Sequence, residues 1–86
     1  MAISTGQLIV GTTPVQIDGT STSNYRLHIH NMDNTENIYI GNGDVSITNG
    51  LALPKMDSLD LVCYPGETIF VVSSKSAHQI SWLKQV

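Results

Sequence analysis

The stretch from Asn37 to Trp82 constrains the fold of this chain more than any other part of it. Short runs of Ile, Val, Leu and Tyr alternate there with polar residues, and each run ends at Gly, Pro, Asn or Asp. Successive side chains of an extended strand point to opposite faces, so this period-two pattern marks half-buried β-strands joined by tight turns. No window of comparable length places its apolar residues at helical spacing. An all-β domain is expected, without a visible reaction centre.

The strands follow one another at short intervals. Gln7 to Val10 is closed by Gly11, and Pro14 opens a second run through Ile17. In the clearest strand, Tyr25 to Asn31, Tyr25, Leu27 and Ile29 share one face and Arg26, His28 and His30 the other. Asn37 to Ile40 follows, and then Val45 with Ile47 and Leu51 with Leu53, split by the turn dipeptide Asn49–Gly50. Leu59 to Cys63 leads into Pro65–Gly66, a type II turn signal. Thr68 to Ser73 is almost wholly apolar, which predicts a central strand covered on both faces, and His78 to Lys84 closes the chain.

Roughly seven or eight short strands at this spacing predict a single small antiparallel β-sandwich or barrel, jelly-roll-like, over residues 1–86. Strand order is not encoded in spacing, so sandwich and barrel both stand. The expected core is Leu8, Val15, Ile17, Leu27, Ile29, Ile38, Ile40, Leu59, Leu61, Phe70, Val72, Ile80 and Trp82. Residues 1–6 read as a flexible or partner-binding N-terminal segment, and Asp18 to Asn24 as an exposed polar loop.

A chain of 86 residues buries only about 60–65% of the surface it exposes when unfolded. Aromatic residues make up 6% of it, so Ile, Val and Leu must supply the core. The single cysteine, Cys63, has no second thiol for a disulfide or a zinc site and reads as a small buried hydrophobe. A small β domain without staples commonly gains stability by oligomerising or by docking on something larger. The net charge is −3 and the four cations, Arg26, Lys55, Lys75 and Lys84, are scattered, so no stripe is expected to bind nucleic acid. The longest apolar run is four residues, as at Ile69 to Val72, far too short to span a membrane as a helix. The N-terminus has neither the basic nor the long apolar region of a signal peptide, so synthesis and assembly in a cytoplasm are expected.

Few residues suggest chemistry. His28 and His30 lie two apart on a strand, which puts both imidazoles on one face about 6–7 Å apart at Cα. That pair is the candidate metal site, but two ligands leave most coordination positions to water, so the preferred reading is solvent-facing residues beside Arg26 and no bound cofactor. His78 reads as a strand-edge residue, or as a third ligand in a small cupin-like metal enzyme. Trp82 reads as a core pillar, or as a stacking platform for a sugar together with Tyr25 and the loop from Asp18 to Asn24. The dispersed Asp residues sit in turns, and no nucleophile elbow or glycine-rich phosphate cradle occurs. A non-enzymatic role is expected.

The order VGTTPVQI, YRLHIHN, NIYIG, VSITNGLAL, an L-x-L strand, PGETIFVVS and ISWL resembles a group of small phage structural proteins. The likeness runs from Val10 to Leu83, with Ile38-Tyr39-Ile40-Gly41 and Asn49-Gly50-Leu51 standing at the strand and turn that mark the pattern. The chain departs from it where Tyr25 precedes Arg26 and where Lys55-Met56-Asp57 replaces Pro-Gly after the corner. The resemblance implies a capsid decoration (cement) protein on the outer surface of the virion, a homo-oligomer with a trimer favoured, whose partner is the major capsid protein. A head-fibre, neck or tail element and a receptor- or glycan-binding module are the alternatives. In the capsid setting the segment Met1 to Gly6, apolar enough to add a strand to a neighbour, and the exposed loops are expected to make the contacts, and removing Met1 to Gly6 is expected to abolish capsid retention without unfolding the domain.

Overall fold

The computed structural model describes residues 3–17 and 22–86. Its strands are β1 (Ile3–Val10), β2 (Val15–Ile17), β3 (Tyr25–Asn31), β4 (Ile38–Gly41), β5 (Leu51–Leu53), β6 (Ser58–Cys63), β7 (Ile69–Ser73) and β8 (His78–Gln85). They form two four-stranded antiparallel sheets, in the orders β1-β8-β3-β6 and β2-β7-β4-β5. First pairs with last: β1 with β8, β2 with β7, β3 with β6 and β4 with β5. The double ribbon is then rolled so that β8 meets β3 and β7 meets β4, which is the jelly-roll arrangement. The expected all-β sandwich is therefore what forms, and its open edges distinguish it from a closed barrel.

Alternation sets the core. On β3, Tyr25, Leu27, Ile29 and Asn31 are buried while Arg26 is exposed and His28 and His30 are half-exposed. These inward side chains meet Val10, Ile17, Ile38, Ile40, Leu53, Val71 and Ile80 from the other strands, and Cys63 joins them as the small hydrophobe its pattern predicts. Fully burying a side chain such as Ile29 or Ile38 stabilises the fold by roughly 1.5–3 kcal/mol, and these contacts stand in for the missing staples. Leu8, Val15, Leu59, Leu61 and Trp82 pack at the margin, half-buried. β7 is central and covered on both faces: Val71 is buried between the sheets and Val72 on the outer side. Phe70 shares that outer side, so the expected pair Phe70 and Val72 belongs to a second, smaller layer.

That layer corrects the reading of Val45 and Ile47 as strand residues. The segment 45–50 instead turns back on itself, with the amides of Asn49 and Gly50 donating to the Ser46 carbonyl. The Ser46 hydroxyl and the Asn49 amide carbonyl accept further backbone amides within the turn and stabilise it. Val45 is buried there, close to Gly41 and Gly50. A Cβ on Gly50 would approach the Tyr39 Cβ to 2.8 Å, so this fold-back depends on glycine.

Part of the N-terminal segment, expected to be flexible or partner-binding, is in a strand. Ile3 to Gly6 is the first half of β1, in register with Gln85 to Trp82 of β8. Gly6 lies directly against the Trp82 indole, where a Cβ would come within 2.7 Å of Cζ2. Of these four residues only Gly6 is half-buried, but removing the segment would strip half an edge strand from the fold. Met1 and Ala2, and the loop positions Asp18 to Ser21, lie outside the described residues.

Candidate functional site

Three polar residues end their strands' inward-facing rows and are sealed from solvent: Asn31 on β3, Ser73 on β7 and His78 on β8. The Asn31 side-chain amide donates to the carbonyls of Glu36, Leu53 and Pro54 at 3.1–3.2 Å, so its Oδ1 is an acceptor. That oxygen accepts the Asp33 amide and lies 2.7 Å from His78 Nε2, which must therefore carry the ring proton. His78 Nδ1 is then the acceptor for the Ser73 hydroxyl at 2.8 Å, and Ser73 Oγ accepts the Lys75 amide in turn. Every polar atom of the trio has a partner. Burial holds the His78 imidazole below its ordinary pKa, reinforced by the Lys75 charge and opposed by Asp33 and Glu36.

The order Ser–His–Asn has the connectivity of a nucleophile, a base and an orienting amide. Ser73 is only 1% exposed, however, and its oxygen is held by the Lys75 amide, so a substrate has no access to it. What the trio does is tie three separate parts of the chain. Asn31 joins β3 to the 36 and 53–54 backbone, and Ser73 with His78 closes the β7–β8 loop onto it. Lys75 extends the clasp by pairing with Asp33, whose carboxyl also accepts the Thr35 amide at 2.6 Å. The Lys75 ammonium foremost, and then the Thr35 hydroxyl and amide, hold the Asp33 carboxyl well below the usual carboxylate range.

The sequence candidates separate across the two faces of the β1-β8-β3-β6 sheet. His28 and His30 are on the outer face beside Arg26, as alternation predicts. His28 Nδ1 donates to Asp60 Oδ1 at 2.6 Å, and His30 Nδ1 is 2.8 Å from Ser58 Oγ, each with its cross-strand partner on β6. Each ring is thus turned by β6 and keeps Nε2 for any ligand, which makes two nitrogens for a cation. His78 belongs to the inner face, so the three histidines do not converge, and its reading as a strand-edge residue is corrected to a core one. Among the described residues, no group of three or more His, Cys, Asp or Glu side chains is placed to hold a metal ion.

Among the described residues, Tyr25 and Trp82 are not presented together as a stacking platform for a sugar. Tyr25 is buried, its hydroxyl donating to the Glu67 carbonyl at 2.7 Å, and the Lys84 ammonium lies 4.8 Å from its ring centroid. That cation–π contact explains how Lys84 tolerates an inward position on β8. Trp82 is half-buried over Gly6.

Most of the exposed large apolar side chains among the described residues belong to edge strands or the chain flanking them; Ile47, in the 45–50 fold-back, and Val86, after β8, are the exceptions. Leu51, Met56, Val62 and Tyr64 come from β5, β6 and the chain joining or following them, and all are more than half exposed. Ile3 and Ile9 come from β1 at the opposite edge, each 61% exposed. Val62 stands on the face of β6 opposite Leu59, Leu61 and Cys63. Scattered surface hydrophobes are ordinary, whereas apolar residues at open sheet edges mark places where another chain can add.

No family model and no curated protein matches the chain. Among solved structures, it is similar to one from Bacillus endospore appendages, described as forming a novel family of disulfide-linked pili. The TM-score is 0.60 at 11% sequence identity, over 99% of this chain and 85% of that one. The likeness is one of fold.

Proposed function

We propose that the chain is a non-enzymatic structural protein of a phage virion. It decorates and stabilises the outer capsid surface by binding the major capsid protein, after synthesis in the host cytoplasm. The observation that carries this reading is the rim of exposed apolar residues on a sandwich whose buried polar atoms are all satisfied among the described residues. Such a domain is stiff inside and adhesive at its edges, which is what a protein that reinforces a repetitive surface requires. The motif resemblance to small phage structural proteins gives the setting. Several weak contacts on one oligomer raise avidity roughly 100- to 10,000-fold when they engage together.

The rim formed by Leu51, Met56, Val62 and Tyr64 is the shell-facing side in this reading. The test is co-sedimentation of the purified protein with capsids of the phage that encodes it, assembled without it. Saturable retention is expected, lost in the double variant Val62→Asp/Tyr64→Ala. Absence of retention of the unaltered protein at saturating concentration overturns the reading.

A second reading, a fibre or appendage element of the virion, is favoured by the fold likeness to the endospore pili. Cys63, the chain's single cysteine, is buried, so linkage of subunits through it as a disulfide would need the core to open. Filaments formed by the purified protein in negative-stain images would favour this reading over decoration.

A further inference from the structure

We propose that β1 is a homotypic joint, through which two copies of the chain pair antiparallel about a two-fold axis at Gly6. The four sheet edges differ in how well they are guarded. β2 and β5 are three residues each, too short to template much. β6 carries Asp60, a charge of the kind that blunts an edge. β1 is eight residues long, ISTGQLIV, with neither a charge nor a proline to interrupt pairing. Its alternate residues turn their amides and carbonyls away from β8, with no neighbouring strand among the described residues to receive them.

The side-chain pattern selects the second copy as the occupant. Ile3, Thr5, Gln7 and Ile9 line the outer face of β1, and Ser4, Gly6 and Leu8 the inner. When Gly6 faces Gly6 of the partner, Ile3 stands opposite the partner's Ile9, Ile9 opposite the partner's Ile3, and Thr5 opposite the partner's Gln7. Both exposed isoleucines are covered at once. A shift of two residues in either direction, which keeps the same faces aligned, breaks both isoleucine pairs: one sets Ile9 against the partner's Thr5 and carries Ile3 past the end of the strand, the other sets Ile3 against the partner's Gln7 and carries Ile9 past its start. Glycine at the axis leaves no side chain between the two backbones, and Trp82 keeps its place over Gly6 on the inner side. The product is a continuous eight-stranded sheet, and an isologous contact of this kind closes at two subunits. A dimer then takes the place of the trimer that the phage resemblance implies.

The joint is independent of the capsid reading, because it is measured in the free protein. Native mass spectrometry and light scattering of the full chain are expected to show a dimer. Ile9→Lys places a charge against an apolar partner twice per dimer and is expected to raise the dissociation constant roughly tenfold or more. Ile9 is largely exposed, so an unchanged circular dichroism spectrum is expected alongside. The double variant Ile3→Cys/Ile9→Cys reports the register: it should crosslink between chains on oxidation, and Thr5→Cys/Ile9→Cys should not. A monomer at every concentration reached, an oligomer indifferent to Ile9→Lys, or crosslinking by the second pair alone overturns the proposal.

Discussion

His78 Nε2 donates to Asn31 Oδ1 over 2.7 Å, and neither side chain touches solvent. One hydrogen bond between β8 and β3 thereby fixes the imidazole tautomer and, through Nδ1, the direction of the Ser73 hydroxyl. Three of the four buried polar side chains among the described residues gather at this spot, and each of their polar atoms has a partner there.

Asn31→Ala is expected to destabilise the domain by about 3 kcal/mol, because it leaves His78 Nε2–H and three carbonyls without their partner in a dry site. Asn31→Asp, nearly the same size, should be at least as damaging, since it turns an oxygen toward carbonyl oxygens where an amide donated. Urea unfolding compares the two. Equal stability of Asn31→Asp and the unaltered protein would contradict the assigned orientation.

Stability should fall as the pH drops from neutrality through about 6.5. The unfolded chain protonates His78 near its ordinary value of 6.5, while the folded chain holds it neutral to lower pH. The unfolded state therefore binds more protons in that window, and unfolding free energy rises with pH across it. Above it the contribution is complete, and it is lost progressively toward the depressed folded value. Asp33 adds a second window: its contribution is present above its ordinary 3.8 and is lost as the pH falls below that. Urea midpoints at successive pH values, with His78→Gln as the control that removes the upper step, separate the two.

Gly6→Ala should lower stability by about 1–3 kcal/mol, because the new methyl meets the Trp82 indole at 2.7 Å. A shift in tryptophan fluorescence should accompany it. Trp82→Leu, harmful alone, should cost less in the Gly6→Ala background than in the native one. Additive effects of the two changes would show that the contact is not the cause.

Ala77 sits at φ 58° just before β8, in the left-handed region that a Cβ disfavours. Ala77→Gly is expected to stabilise by about 0.5–1 kcal/mol, the relieved strain exceeding the added chain entropy. Gly66, at φ 83° in the turn where the Glu67 amide donates to the Tyr64 carbonyl, is the mirror case. Gly66→Ala should destabilise by about 1 kcal/mol. Thermal melts of both variants check the signs.

Much of the clasp was legible in the sequence. Asn31 continues the inward row of Tyr25, Leu27 and Ile29, and His78 that of Ile80 and Trp82. Parity puts both inside, but Asn31 was assigned to neither face, and reading His78 as an edge residue gave its position at the strand end more weight than its phase. Val45 and Ile47 misled for the opposite reason, since a period-two pair is too short to distinguish a strand from a turn that side chains stabilise.

Alternation and turn residues by themselves determined that the chain is all-β, where most strands begin and end, and which face of β3 is wet. They act on neighbours in the chain, so they decide local geometry. Tertiary structure alone decided that β1 lies beside β8 and that Asn31, Ser73 and His78 meet. It also left the isoleucines of β1 on an open edge. Those outcomes depend on how the ribbon rolls, and that is set by contacts between residues far apart in sequence, which spacing does not encode.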